Sequence, residues 1–156
     1  MNRLLLAIDQ FDSGQVALVF AADLANSVGA EVTVLHVRER AVHPRVPALE
    51  SPIDAQSQVD EAVFCLSQAG IGAEGRMRSA RADHVARWIA YESGESRCDA
   101  IVLGSRRLRG IERASGRGVR ERVIRSTQLP ALVAPATPIN KVHRPYVSES
   151  PSLNRR

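Results

Sequence analysis

Asp99-Ala100-Ile101-Val102-Leu103-Gly104 decides the fold. Four apolar residues, three of them β-branched or leucine, stand between an acidic residue and a glycine, too short for a helix and apolar on both faces. Strands of that kind belong to parallel sheets covered on both sides. A second such run, Leu4-Leu5-Leu6-Ala7-Ile8 before Asp9, predicts a first strand over residues 3–9. Glu31 to Val37 predicts another, and Ala131 to Ala134, introduced by Pro130, a last one. Residues 71–80 read as a weaker strand, since Gly72, Gly75 and its charges suit an edge.

Helical periodicity fills the intervals. Ala17, Phe20, Ala21, Leu24 and Val28 form one stripe, with Asp12 or Ser13 as its cap and Gly29 as its stop. Ser51-Pro52 predicts a helix start, a hydroxyl cap followed by proline in the first turn. Val59, Ala62, Val63 and Leu66 are its buried face, and Gly70 closes it. Asp83 is the expected cap of a third helix that turns Val85, Trp88 and Ile89 inward. A fourth helix is expected from Val119 to Thr127. The order β-α-β-α-β-α-β-α-β with right-handed crossovers predicts an α/β fold: a five-stranded parallel sheet, doubly wound, with helices on both faces.

The chain has 156 residues, 44% hydrophobic and 24% charged, which suits one globular domain. No apolar run approaches a membrane span or a signal peptide, so the expected address is the cytoplasm. Cys65 and Cys98 stand far apart with no CxxC, and His36, His43, His84 and His143 are scattered, so no metal site is expected. Charge is segregated. Residues 1–103 carry a net −5, residues 104–125 a net +6 from eight arginines against Glu112 and Glu121, and residues 137–156 a net +3. An arginine cluster suits phosphate or carboxylate groups through planar, bidentate hydrogen bonding, or it is a solvated surface loop. Residues 137–156, rich in proline and without periodicity, are expected to be a disordered basic tail beyond a domain of residues 1–136.

Ligands of doubly wound sheets sit beyond the carboxyl ends of the strands where the strand order reverses. Asp9 and Gly104 fall at such ends and are expected to meet at one crevice. No GxGxxG follows the first strand and no GxxxxGK[ST] exists, which excludes a dinucleotide fingerprint and a P-loop. His36, in mid-strand, reads as a satisfied sheet histidine, and Trp88 as core. Ser13 and Ser105 have no histidine base at hand. No catalytic constellation emerges, so catalysis is not expected.

The runs Leu4 to Asp9, Gly29 to Val37, Asp99 to Arg106 and Val123 to Ala134, in that order and register, resemble the universal stress protein family across residues 2–136. The resemblance implies a homodimer paired through the last strand, Ala131 to Ala134. It also implies an adenine nucleotide, ATP among the candidates, with Asp9 and Val37 at the adenosine end. The family's phosphate loop is glycine, two residues, glycine, nine residues, then glycine with serine or threonine. Gly104 fills the first place, but Arg107 and Arg117 take the next two glycine places and Gly118 the hydroxyl place. The family's serine two residues after the strand-one aspartate is Phe11.

Two readings follow. In one, tight ATP binding is lost, because side chains fill positions where phosphate needs bare backbone. In the other, arginines replace the amide donors, Gly110, Gly116 and Gly118 keep the loop pliable, and the chain is an adenine-nucleotide sensor. Each exposed arginine contact adds about 0.5–1 kcal/mol, against about 8 kcal/mol for micromolar binding. The implied nucleotide-binding set is Asp9, Val37, Gly104, Arg107, Gly116, Arg117, Gly118 and Val119. The expected function is a stress-response regulatory or binding module without robust catalysis. A membrane partner is not expected, and nucleic acid is disfavoured because the arginine cluster has no interleaved aromatics.

Overall fold

Five parallel strands stand in the order β3-β2-β1-β4-β5 in a computed structural model that describes residues 1–9, 12–40, 50–105 and 118–135, with backbone alone for 12–14. The elements are β1 (Arg3–Ile8), α1 (Asp12–Val28), β2 (Glu31–Glu39), α2 (Pro52–Gln68), β3 (Ala73–Ala80), a 3-10 turn (Ala82–His84), α3 (Val85–Glu95), β4 (Ala100–Leu103), α4 (Val119–Ser126) and β5 (Ala131–Val133). The fold class matches the sequence expectation, and β3 is an edge strand as its glycines suggest.

Strand alternation divides the core in two. Leu4 and Leu6 of β1, with Val32 and Val34 of β2, face α1 and α2, where Ala17, Ala21, Ala25, Val59, Ala62 and Leu66 meet them. Leu5, Leu35 and Ile101 face the other way, against Val85, Ala86 and Ile89 of α3 and Val123 of α4. Leu4, Leu5 and Leu6 are all fully buried; each contributes about 2 kcal/mol of apolar burial.

The helix ends follow local chemistry. Ser51 Oγ accepts the Asp54 N–H at 3.1 Å, with Pro52 in the first turn, as the sequence predicts. Gly70 carries φ +78° just past α2, a conformation open to glycine. Asp83 is a correction: it lies in the 3-10 turn, α3 begins after His84, and no side chain caps it. Its carboxylate pairs instead with Arg81 at 3.4 Å and lies 3.8 Å from His84. Along α1, Val28 is 44% exposed, so the predicted stripe stops short of the helix end. Trp88 is half-buried and packs against the second core cluster as expected, its ring edge-on to Tyr91 at 5.5 Å. The expected caps Asp12 and Ser13 lie outside the described side chains, and the tail lies outside the described residues.

β1 and β4 are central neighbours, with Leu4 opposite Ala100 and Ala7 opposite Leu103. Asp99 Oδ2 accepts the backbone N–H groups of Asn2 at 2.5 Å and Arg3 at 3.1 Å, which fixes that register at its start. Those two donors hold the Asp99 carboxyl below the usual carboxylate range. No helix among the described residues is long and apolar enough to cross a membrane.

Candidate functional site

From β1 the chain leaves to α1 on one face of the sheet, whereas α4, which follows β4, lies on the other. Between two such strands no crossover covers the sheet end, and a crevice forms there. It holds a cavity of about 150 Å³. The floor is apolar: Ala7, Leu35, Val37, Val85, Ile89 and Leu103. The rim is polar: Asp9, His36, Glu39, Glu50, Arg120 and Glu121, with Gly104, Gly118 and Val119 completing the wall. An apolar pocket with polar groups at its mouth suits a ring system bearing hydroxyls or amines.

Five of the eight residues implied by the resemblance therefore share one cavity: Asp9, Val37, Gly104, Gly118 and Val119. Arg107, Gly116 and Arg117 lie outside the described residues. Asp9 and Gly104 reach the cavity from adjacent strands, as the topology requires.

The start of α4 is set by Gly118, extended at φ −59° and ψ 151°, with no side-chain cap. Glu121 lies in the first turn, bonded to its neighbour. Arg120 donates to its Oε1 from Nε at 3.1 Å and from Nη2 at 2.8 Å. Those bonds, and next its own backbone N–H, hold the Glu121 carboxyl below the usual range. Its buried Oε2 has no hydrogen-bond partner among the described residues. A carboxylate paired with Arg120 thus stands in the first turn of α4, where negative charge suits the helix start.

Among the described residues Arg120 is the arginine that lines the cavity, and Glu121 neutralises it. Arg122 instead donates to the carbonyls of Ala82 at 3.2 Å and Asp83 at 3.4 Å, tying α4 to the turn before α3. Asp9, Glu39, Glu50 and Glu121 place four carboxyl groups around the opening.

His36 is 3% exposed and bonded at both ring nitrogens, as a satisfied sheet histidine should be. It also lines the cavity, which its mid-strand position does not announce. Its partner Glu50, 9% exposed, precedes the cap of α2. Gln58 of α2 donates to Glu50 Oε1, and Arg38 donates to the Glu50 carbonyl at 3.1 Å. Sequence reading passed over Glu39, Glu50, Arg120 and Glu121. The available signal was position, since Glu39 follows Val37 by one strand repeat and Glu121 follows the predicted start of the fourth helix.

Strand order, switch-point cavity and glycine-bounded walls define a doubly wound α/β module with a ligand crevice at its strand ends. The Universal stress protein family matches residues 1–135, and the chain belongs to that family. Among curated proteins, none matches the chain. Solved structures share the fold. A universal stress protein family member from Burkholderia pseudomallei is 22% identical with a TM-score of 0.67, covering 86% of this chain and 96% of that one. The universal stress protein from Archaeoglobus fulgidus in complex with dAMP is 24% identical with a TM-score of 0.62, covering 85% and 97%. A family protein from Arabidopsis thaliana with AMP bound is 15% identical with a TM-score of 0.56, covering 85% and 90%.

Proposed function

We propose that the chain is a stress-response regulatory module that binds an adenine mononucleotide in the crevice between β1 and β4 and has lost tight binding of ATP. The observation that carries this is the apolar slot with Asp9, Val37, Gly104 and Gly118 on its walls. In this reading the adenine lies over Val37 and Leu35, and Asp9 accepts hydrogen bonds from the sugar. The dAMP and AMP complexes of the two family structures support the ligand class.

Three features weaken the grip on a longer phosphate chain. Arg107 and Arg117 stand at two glycine places of the family's loop, and Gly118 brings no hydroxyl. Glu121 stands in the first turn of α4 paired with Arg120, and the carboxyl groups of Asp9 and Glu39 at the mouth oppose added negative charge. The module acts in the cytoplasm as a homodimer joined along β5, a three-residue edge strand whose Val133 is exposed.

Calorimetry with AMP, cyclic AMP and ATP tests the binding. AMP is expected to bind in the micromolar range, about −8 kcal/mol, with ATP at least about tenfold weaker. A triple variant, Arg107→Gly, Arg117→Gly and Gly118→Ser, should recover ATP. No heat from any nucleotide at millimolar concentration would overturn the reading. ATP binding more tightly to the native chain than to the variant would make the arginines the phosphate grip and reverse the second half. Elution as one subunit at micromolar concentration would remove the dimer.

A further inference from the structure

We propose that Glu39 selects the base: its carboxylate accepts a hydrogen bond from the exocyclic amine of a purine lying over Leu35 and Val37. The crevice then prefers a purine with an amine at C6 to one with a carbonyl or a hydrogen there. This rests on the function proposed above and adds to it the residue that reads the edge of the base. Side chains of a strand alternate between the faces of a sheet, so Leu35, Val37 and Glu39 share one face of β2. All of them line the cavity. Leu35 and Val37 are buried in the layer beneath α3 and α4, whereas Glu39, the last residue of β2, is half-buried. The stripe thus passes from apolar to carboxyl, with about 6.6 Å between successive members. A flat base over the first two turns an edge to the third.

The carboxyl groups around the opening differ in what already holds them. Glu50 is bonded to His36 and Gln58, and Glu121 to Arg120. Asp9 is engaged as well. The Glu39 side chain has no hydrogen bond or ion pair among the described residues. A donor brought by a ligand therefore displaces no existing partner, and hydrogen bonds to an ionised acceptor are the stronger kind. The carboxylate also has a firm mount. Glu39 lies opposite Ala80 of β3, and the Arg40 N–H donates to the Ala80 carbonyl at 2.7 Å, so the backbone is paired up to this point. A ligand without the amine leaves that carboxylate unsatisfied beneath it, which is how a polar group rejects an analogue more sharply than an apolar wall can.

Calorimetry on the full chain tests this with AMP, purine riboside 5′-monophosphate, which lacks only the amine, and inosine monophosphate, which has a carbonyl in its place. All carry the same sugar and phosphate, so repulsion between Glu39 and the phosphate cancels in their affinity ratios. The native chain should bind AMP at least about tenfold more tightly than the purine riboside compound, and inosine monophosphate no more tightly than that compound. Glu39→Ala should bring AMP and the purine riboside compound to near equality. Glu39→Gln, which keeps an acceptor oxygen, should retain part of the preference. A merely structural role for Glu39 would weaken every ligand alike in the alanine variant and leave the native ratio standing, and that result would overturn the proposal. AMP and the purine riboside compound binding equally well to the native chain would also overturn it, while the functional reading survives. No binding of any nucleotide to the native chain would overturn both.

Discussion

Arg78 Nε lies 2.5 Å from Glu92 Oε1, and Glu92, inside α3, is fully buried. Its other oxygen accepts from Arg76 Nη1 at 3.1 Å, so two arginines of the edge strand β3 clamp one buried carboxyl of the helix. The side chains of Arg76 and Arg78 are 31% and 39% exposed, whereas that of Glu92 is 0%. The desolvation therefore falls on the carboxylate.

That asymmetry gives the first prediction. Replacing both Arg76 and Arg78 by methionine strands a buried carboxylate and should cost about 3–5 kcal/mol. Glu92→Met should cost clearly less, because the two guanidinium groups regain water. Urea unfolding of both variants checks this. Equal losses would show that packing, not charge, sets the cost.

Gly75 sits where β3 passes under α2. A Cβ there would lie 2.4 Å from Val59 Cγ1 and 3.1 Å from Val63 Cγ2. Val59 is fully buried and cannot step aside freely. Gly75→Ala should destabilise by about 1–3 kcal/mol, and adding Val59→Ala should recover part of that loss in a double-mutant cycle. At Gly72 the nearest atom is Glu31 Cγ at 3.4 Å, so Gly72→Ala should stay within about 0.5 kcal/mol of wild type.

Burial pushes the Cys98 thiol up to about 11, from 9.0 for a free thiol. The folded state therefore favours the protonated form more than the unfolded chain does. The associated stability is present below about pH 9 and is lost as pH rises through about 11. Cys98→Ala should flatten that alkaline decline in urea titrations. At neutral pH a thiol reagent should label the exposed Cys65 in the native chain and reach Cys98 only on unfolding. Equal labelling rates at the two positions would contradict the burial.

The sequence was readable where one local pattern settles one structure. The apolar runs of β1 and β4 and the Ser51-Pro52 start of α2 needed nothing distant to be interpreted. Asp83 misled because a 3-10 turn stands between it and α3, and nothing in the residue types separates a capping aspartate from one in such a turn. Glu92 sits at a buried helical position that polarity alone would turn toward water; only the arginines of β3, fourteen and sixteen residues earlier, make it tolerable there.

The site divides along the same line. Asp9 and Gly104 could be placed because strand ends are local features and the switch point follows from the order of elements, whereas Val37 came with the family resemblance. Glu50 could not, since its bond to His36 spans fourteen residues and depends on how the chain returns to α2. The arginine cluster gave its charge but not its destination. Arg120 and Arg122, two residues apart, face different partners, a helix-start carboxylate and a pair of backbone carbonyls.

Because Ala7 and Leu103 are paired partners in the middle of the sheet, the floor of the pocket is also the keystone of the scaffold. Its shape is inherited with the architecture and is costly to alter. The side chains at its mouth, Asp9, Glu39 and Arg120 among them, carry no such burden. Chemical preference can therefore drift from one descendant to another by exchanging the mouth, while the seat beneath stays as it was.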